Sequence, residues 1–122
     1  MIKTHGLTHI SLKVSDMDKS VQFYKDVFGV VEYYRDEQNV QVKGPGPKDI
    51  LVFEKSESDI GLHAGVSHFG FRLTDPKDID KVVQEVVKAG GTIWKQGEFS
   101  PTEPFVFFTD IDGYSIEIWY ED

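Results

Sequence analysis

The chain alternates between stretches in which every second residue is apolar and stretches in which apolar residues recur every three or four positions. The first pattern predicts β-strands and the second predicts amphipathic helices. Helices are expected in SDMDKSVQFYKDVFGV, capped by Ser15 or Asp16, and in TDPKDIDKVVQEVVKAGG, capped by Asp75. Strands are expected in GVSHFGFRL and at about residues 7–14, 31–35, 40–43, 50–54, 92–94, 105–109 and 114–120.

These elements occur in the same order twice. His9 and His68 lie in the first strand of each copy, and Asp16 and Asp75 precede each helix, 59 positions apart in both cases. A single copy has one sheet and one helix and would leave one face of its sheet exposed, so the two copies are expected to pair. The sequence therefore predicts one α+β domain over residues 1–122, built from two βαβββ modules at about 5–56 and 64–122.

Two histidines and a glutamate lie at matching points of three predicted strands. His9, His68 and Glu117 each fall on the polar side of an alternating stretch. Two imidazoles and a carboxylate make a candidate metal site with open coordination positions, provided that the three strands bring them together. Candidate substrate-binding residues share these faces, and the cations among them could attract an anionic ligand: Ser11, Lys13, Arg72 and Trp119.

Composition narrows the range of partners and locations. The formal net charge of −8 disfavours nucleic acid and anionic membranes as partners. The chain has no cysteine, which excludes thiolate chemistry and disulfides and is consistent with a reducing compartment. The N-terminal segment has no long apolar stretch, and no apolar run reaches the roughly 18 residues of a membrane span. We therefore expect a cytoplasmic protein that binds a small molecule.

Four segments resemble the vicinal oxygen chelate superfamily, which includes glyoxalase I, extradiol dioxygenases, fosfomycin-resistance transferases and bleomycin-resistance proteins. The opening histidine followed by a helix with FYKDVFG is similar to the start of these proteins, and DIDGYSIEI is similar to their turn and Glu-bearing strand. Ile111 stands where proline is usual. The resemblance covers nearly the whole chain and rests on LTHISLKVSDMDKSVQFYKDVFGV, SHFGFRL, VVKAGGTI and FVFFTDIDGYSIEIWY.

The resemblance implies a fold, a ligand set and an assembly. Paired modules of this family form a cup-shaped mixed sheet with one divalent metal inside, here Fe, Mn, Ni, Co or Zn. It implies that His9, His68 and Glu117 are the ligands, and that the chain is a homodimer with the site within one chain or between two. Aligning DILVFEK with SIEIWYE puts Leu51 opposite Glu117 and Glu54 on the other face, which favours three ligands and leaves a fourth from Glu54 open.

The reaction is less constrained than the site. A dioxygenase would need an acid/base residue beside the metal, for which His63, Tyr114 and Tyr120 are candidates by type only. A fosfomycin-resistance transferase is supported by Lys95, which resembles a substrate-binding lysine of that group, and by Ser11. Of the two tryptophans, Trp94 is expected in the core, whereas Trp119 could equally stack on a substrate.

Three classes of function therefore stay open. The first is a metalloenzyme of the glyoxalase or dioxygenase type, with a fosfomycin-resistance-like thiol transferase as its variant. The second is a metal-free binding protein like those that confer bleomycin resistance. The third is a sensor or structural module. The complete candidate ligand set favours the metalloenzyme.

Overall fold

The computed structural model describes residues 1–62 and 65–121, and it divides the chain into two compact units, Met1–Ile60 and Gly61–Asp122. Each unit has the predicted order of a strand, a helix and three further strands. The unit boundary falls between the two predicted modules, of which the first ends at about residue 56 and the second begins at about residue 64.

The first unit is a four-stranded mixed sheet with one helix. Its strand order is β1-β4-β3-β2, with β1 parallel to β4 and the other pairs antiparallel. The elements are β1 (Ile10–Val14), α1 (Met17–Phe28), β2 (Val31–Arg35), β3 (Asn39–Lys43) and β4 (Ile50–Lys55).

The second unit repeats this topology. Its strand order is β5-β8-β7-β6, again with one parallel pair, β5 with β8. A 3-10 turn at Pro76–Asp78 precedes the helix. The elements are β5 (Phe69–Arg72), α2 (Ile79–Ala89), β6 (Thr92–Glu98), β7 (Pro104–Thr109) and β8 (Ser115–Trp119).

One face of the first sheet packs under α1. Phe23 and Tyr24 of the helix are buried, and the Tyr24 ring centroid lies 5.0 Å from that of Phe53. The helix begins at Asp16, whose carboxylate accepts from the backbone N–H of Lys19 at 3.0 Å, and it ends at Gly29, whose φ of 66° is left-handed. The helix thus covers the apolar alternate residues of the strands, as the periodicity predicts.

The second core has the same construction. Val86 of α2 is buried, as are the alternate residues Val106, Phe108, Ile116 and Ile118 of β7 and β8. The turn between these strands is closed by Asp110, whose Oδ1 accepts from the backbone N–H groups of Asp112 and Tyr114 at 2.9 and 3.0 Å. This turn fixes where β8 starts, and therefore which face Glu117 occupies.

Some element boundaries differ from those predicted. The first strand begins at Ile10 rather than Leu7, so that His9 and His68 both lie one residue before a strand. The strand β6 continues to Glu98, well beyond Trp94. None of the helices in the described part of the chain is both long and apolar enough to cross a membrane.

Candidate metal centre

The parallel pairing of β5 with β8 brings His68 and Glu117 together. Gly70 pairs with Glu117 and Arg72 with Trp119, and residues paired in register share a face of the sheet. His68, two residues before Gly70, is on the same face, and its Nε2 lies 3.2 Å from Oε2 of Glu117. We call the side of the second sheet that carries His68 and Glu117 the dyad face.

One oxygen of the Glu117 carboxylate is buried without a partner. The side chain is only 13% exposed, and its Oε1 forms no hydrogen bond with any described residue. A buried acceptor left unpaired costs about 1–3 kcal/mol, and more when it is charged. A bound cation would satisfy this oxygen, so the carboxylate fits the role of a metal ligand.

The other ring nitrogen of His68 is held by its chain neighbour. Nδ1 lies 2.9 Å from Oγ of Ser67, and the edge of the ring packs against Phe107 with centroids 4.9 Å apart. These contacts leave Nε2 as the nitrogen that faces Glu117. A neutral imidazole offers one lone pair to a metal, and this arrangement presents it on the dyad face.

His9 lies in the first unit beside a polar cleft. Its Nδ1 is 2.7 Å from Oγ1 of Thr8, the same type of contact as in the second unit. The cleft has a volume of about 350 Å³. It is lined by His9, Ser11, Tyr33, Asn39, Gln41, Ile50, Val52 and Glu54.

The prediction that Glu54 lies on the opposite face was wrong. Ser11 pairs with Val52 in the first sheet as Gly70 pairs with Glu117 in the second, so Val52 rather than Leu51 corresponds to Glu117. Glu54 is therefore on the His9 side of the sheet and lines the cleft there. The error arose because ILVF is apolar on both faces, so that alternation could not fix the register of this strand.

The expected core position of Trp94 was also wrong. A β-bulge in β6 places Trp94 as an extra residue between Ile93, which pairs with Phe108, and Lys95, which pairs with Phe107. Trp94 is 54% exposed, and its Nε1 donates to Oγ of Ser115 at 3.2 Å. Trp94 thus lies on the dyad face rather than in the core.

The dyad face carries more aromatic rings than the sequence indicated. Phe107 contacts Trp94 at 4.9 Å between ring centroids, and Phe105 contacts Phe99 at 4.1 Å. The run FVFF is apolar on both faces, so that the helix side takes Val106 and Phe108 and the dyad face takes the other two rings. Lys95 shares this face, with Nζ 5.7 Å from the Phe105 ring centroid.

A cleft of about 270 Å³ opens beside Glu117. Gly70 lines it, and a Cβ at that residue would lie 3.1 Å from the carbonyl oxygen of Glu117, so glycine keeps this approach open. Arg72 at the cleft contacts Glu121 at 2.8 Å and is largely exposed. The Nε1 of Trp119 is buried and donates to no described group. The full lining is Gly70, Phe71, Arg72, Glu117, Trp119 and Glu121.

The structure brings together part of the predicted ligand set. Among residues 1–62 and 65–121, no three His, Asp or Glu side chains form a metal-binding group, and His68 with Glu117 is the pair in contact. The assignment of all three ligands stays a prediction. Lys13 faces Asp59 at 3.9 Å, and His63 lies outside the described residues.

Comparison with known proteins identifies the family. The sequence-family model of the Glyoxalase/Bleomycin resistance protein/Dioxygenase superfamily matches residues 6–118 of this chain. The chain belongs to this superfamily. Its α+β architecture, two four-stranded mixed sheets each with a helix, is the fold of the family, and the prediction of an enzyme from this superfamily is confirmed at that level.

The relatives are enzymes of more than one kind. The glutathione transferase FosA of Serratia marcescens is 26% identical over 114 residues, covering 93% of this chain and 79% of that protein. A manganese-dependent 2,3-dihydroxybiphenyl 1,2-dioxygenase of Geobacillus genomosp. 3 is 25% identical over 115 residues, covering 93% of this chain. This chain spans only 36% of the length of that dioxygenase.

A solved structure has the same fold. A variant of the fosfomycin resistance protein FosX of Listeria monocytogenes, in complex with Mn(II) and a dihydroxypropylphosphonic acid, has a TM-score of 0.79 at 18% identity. The match covers 95% of this chain and 90% of that chain. The dioxygenase is thus described as manganese-dependent, and the FosX variant was solved with Mn(II) bound.

The placement of the two tryptophans can be tested by fluorescence. In Trp94→Phe the remaining emission comes from Trp119, whose indole N–H is buried, so we expect blue-shifted emission and weak quenching by acrylamide. In Trp119→Phe the emission comes from Trp94 on the dyad face, and we expect red-shifted emission and strong quenching. Equal quenching of the two variants would contradict the bulge in β6.

Proposed function

We propose that this chain is a divalent-metal-dependent enzyme that binds a small vicinal-oxygen substrate on one metal ion held by His9, His68 and Glu117. The observation that carries the proposal is the 3.2 Å contact between Nε2 of His68 and Oε2 of Glu117, beside a buried Oε1 without a partner. The unpaired buried oxygen lowers the stability of the fold, and the two neighbouring donor atoms could bind a cation.

The measured separation suits two ligands of one ion. With metal–ligand distances of about 2.1 Å, donor atoms lie about 3.0 Å apart at a right angle and about 3.4 Å apart at a tetrahedral angle. The 3.2 Å between the two donors falls between these values. One carboxylate and two histidines form the facial ligand set that leaves open positions for substrate.

The internal repeat supports His9 as the third ligand. His9 and His68 occupy equivalent positions, and each has its Nδ1 held by the hydroxyl of the residue before it. We propose three protein ligands rather than four because Val52, which occupies the position equivalent to Glu117, cannot bind a metal, and Glu54 corresponds to Trp119 rather than to Glu117.

The chain's own residues suggest how a substrate is held. When bound, the metal would polarise the substrate's oxygen atoms as a Lewis acid. Lys95 and Arg72 offer positive charge to an anionic group, and the rings of Trp94 and Phe107 exclude water from one side of the dyad. Ser11, next to His9 in the polar cleft, offers a hydroxyl.

Metal content tests the site directly. We expect protein purified without a histidine tag to bind about one equivalent of Mn(II) or Fe(II), and His9→Ala, His68→Ala and Glu117→Ala each to weaken binding at least about 100-fold because a ligand is lost. His5→Ala, an exposed histidine outside the site, serves as the matched control.

Two outcomes would contradict the metal site. One is less than about 0.2 equivalents of metal in the reconstituted protein, which would favour the alternative of a metal-free binding protein. The other is unchanged metal content in the Glu117→Ala variant, measured by elemental analysis.

A fosfomycin-resistance transferase is the second candidate. Lys95 lies on the dyad face, where it can reach an anionic substrate group, and FosA is matched over most of its length. If this candidate is right, the Mn(II) form consumes fosfomycin in the presence of a thiol, and Lys95→Ala raises KM by about 10-fold or more because a charged contact is lost.

In the fosfomycin assay, Lys88→Ala, in the last turn of α2, is the control for loss of positive charge. A second assay, of oxygen consumption, separates the transferase from a dioxygenase. Oxygen consumption by the Fe(II) form with catechol, without turnover of fosfomycin, would instead identify a dioxygenase.

We also propose that the chain forms a homodimer in the cytoplasm. The edge strand β2 is exposed along its length and carries Val31, Tyr33 and Tyr34, the type of edge that proteins of this size cover by pairing. Light scattering at micromolar concentration should give twice the chain mass of 13.9 kDa. A mass of one chain would contradict the dimer.

A further inference from the structure

We infer that the hydroxyls of Thr8 and Ser67 are positioning groups that fix the two histidine rings for metal binding. Oγ1 of Thr8 lies 2.7 Å from Nδ1 of His9, and Oγ of Ser67 lies 2.9 Å from Nδ1 of His68. The inference rests on the proposed metal site, but it concerns residues to which no role has been assigned.

The repeat is the strongest argument for this role. Thr8 and Ser67 are 59 positions apart, as are the two histidines. The units differ at most other equivalent positions, including Val52 and Glu117, yet each has a hydroxyl residue directly before its histidine, in contact with the same ring nitrogen. A contact that occurs in both units at the same atoms is poorly explained as a surface accident.

The hydroxyls can restrict the orientation of the two histidine rings. Both histidines lie one residue before a strand, outside the regular ladder. His9 is exposed, and the His68 side chain is 38% exposed with its ring edge against Phe107, so a hydrogen bond at Nδ1 adds a restraint that packing does not supply in full. A hydrogen bond at Nδ1 restricts rotation of the ring and directs Nε2 away from the chain. In the second unit this is the nitrogen that faces Glu117.

Metal binding determines which ring nitrogen of a histidine carries the proton. A histidine that binds a metal through Nε2 carries its proton on Nδ1, and that N–H needs an acceptor. The hydroxyl oxygen of Thr8 or Ser67 is within hydrogen-bonding distance of this nitrogen. Loss of such a partner typically weakens metal binding about 10- to 100-fold.

The experiment measures Co(II) binding to the metal-free full chain by absorption spectroscopy, which needs no substrate. Thr8→Val keeps the shape of threonine without its hydroxyl, and Ser67→Ala removes the hydroxyl of serine. We expect each to raise the Kd for Co(II) about 10-fold and to change the ligand-field spectrum, because the ring is no longer held. Circular dichroism and thermal unfolding of the metal-free variants report whether the fold is intact.

The repeat also provides the rescue variants. Thr8→Ser and Ser67→Thr exchange the hydroxyl residues that the two units already use, and we expect them to bind Co(II) within about threefold of the unaltered chain. Thr102→Val removes a hydroxyl that contacts Ser100 and no histidine, and it should have no effect.

Several results would overturn the inference. Unchanged Kd values and spectra in Thr8→Val and Ser67→Ala would show that the hydroxyls do not position the rings. Equal weakening by Thr8→Ser and Ser67→Thr would assign the effect to side-chain shape. Failure of the unaltered chain to bind Co(II) would instead reject the metal site itself, so the two failures are distinguishable.

Discussion

The register between β5 and β8 is the constraint on which the candidate centre depends. Parallel pairing sets Gly70 beside Glu117, and the alternation of side chains then leaves the carboxylate on the same face as His68. A slip by one residue would turn Glu117 toward the helix and expose Ile116 and Ile118, which are buried in the core. The same apolar residues that stabilise the second unit therefore hold the carboxylate beside the imidazole.

The two units have the same strand topology but carry different side chains on the face of the sheet that bears the histidine. In both sheets the first strand pairs in parallel with the last, and a histidine precedes the first strand. The second unit has Glu117 and several aromatic rings on that face, whereas the first has Val52 at the position equivalent to Glu117 and a polar cleft with Asn39, Gln41 and Glu54. Duplication supplies the scaffold, and substitution at a few facing positions supplies the difference in chemistry.

The sequence predicted the fold well because its local signals agree with one another. Alternation and the caps at Asp16 and Asp75 indicated the same repeated unit. The structure confirms Asp16 as the cap of α1, whereas Asp75 caps the 3-10 turn that precedes α2. The failures occurred where a strand is apolar on both faces or carries an extra residue. Glu54 was assigned to the wrong face in the first case, and Trp94 in the second, since a bulge leaves no mark in an alternation pattern.

The features that sequence analysis missed are those that do not serve the fold. Two buried polar groups have no hydrogen-bond partner among the described residues, Oε1 of Glu117 and Nε1 of Trp119, and each lowers the stability of an isolated unit. Natural sequences keep such local conflicts mainly at functional sites. Here these conflicts lie on one face of one sheet, the face that carries His68, and none of them is needed to form the core. Their concentration on the dyad face is therefore an argument for function that is independent of the family resemblance.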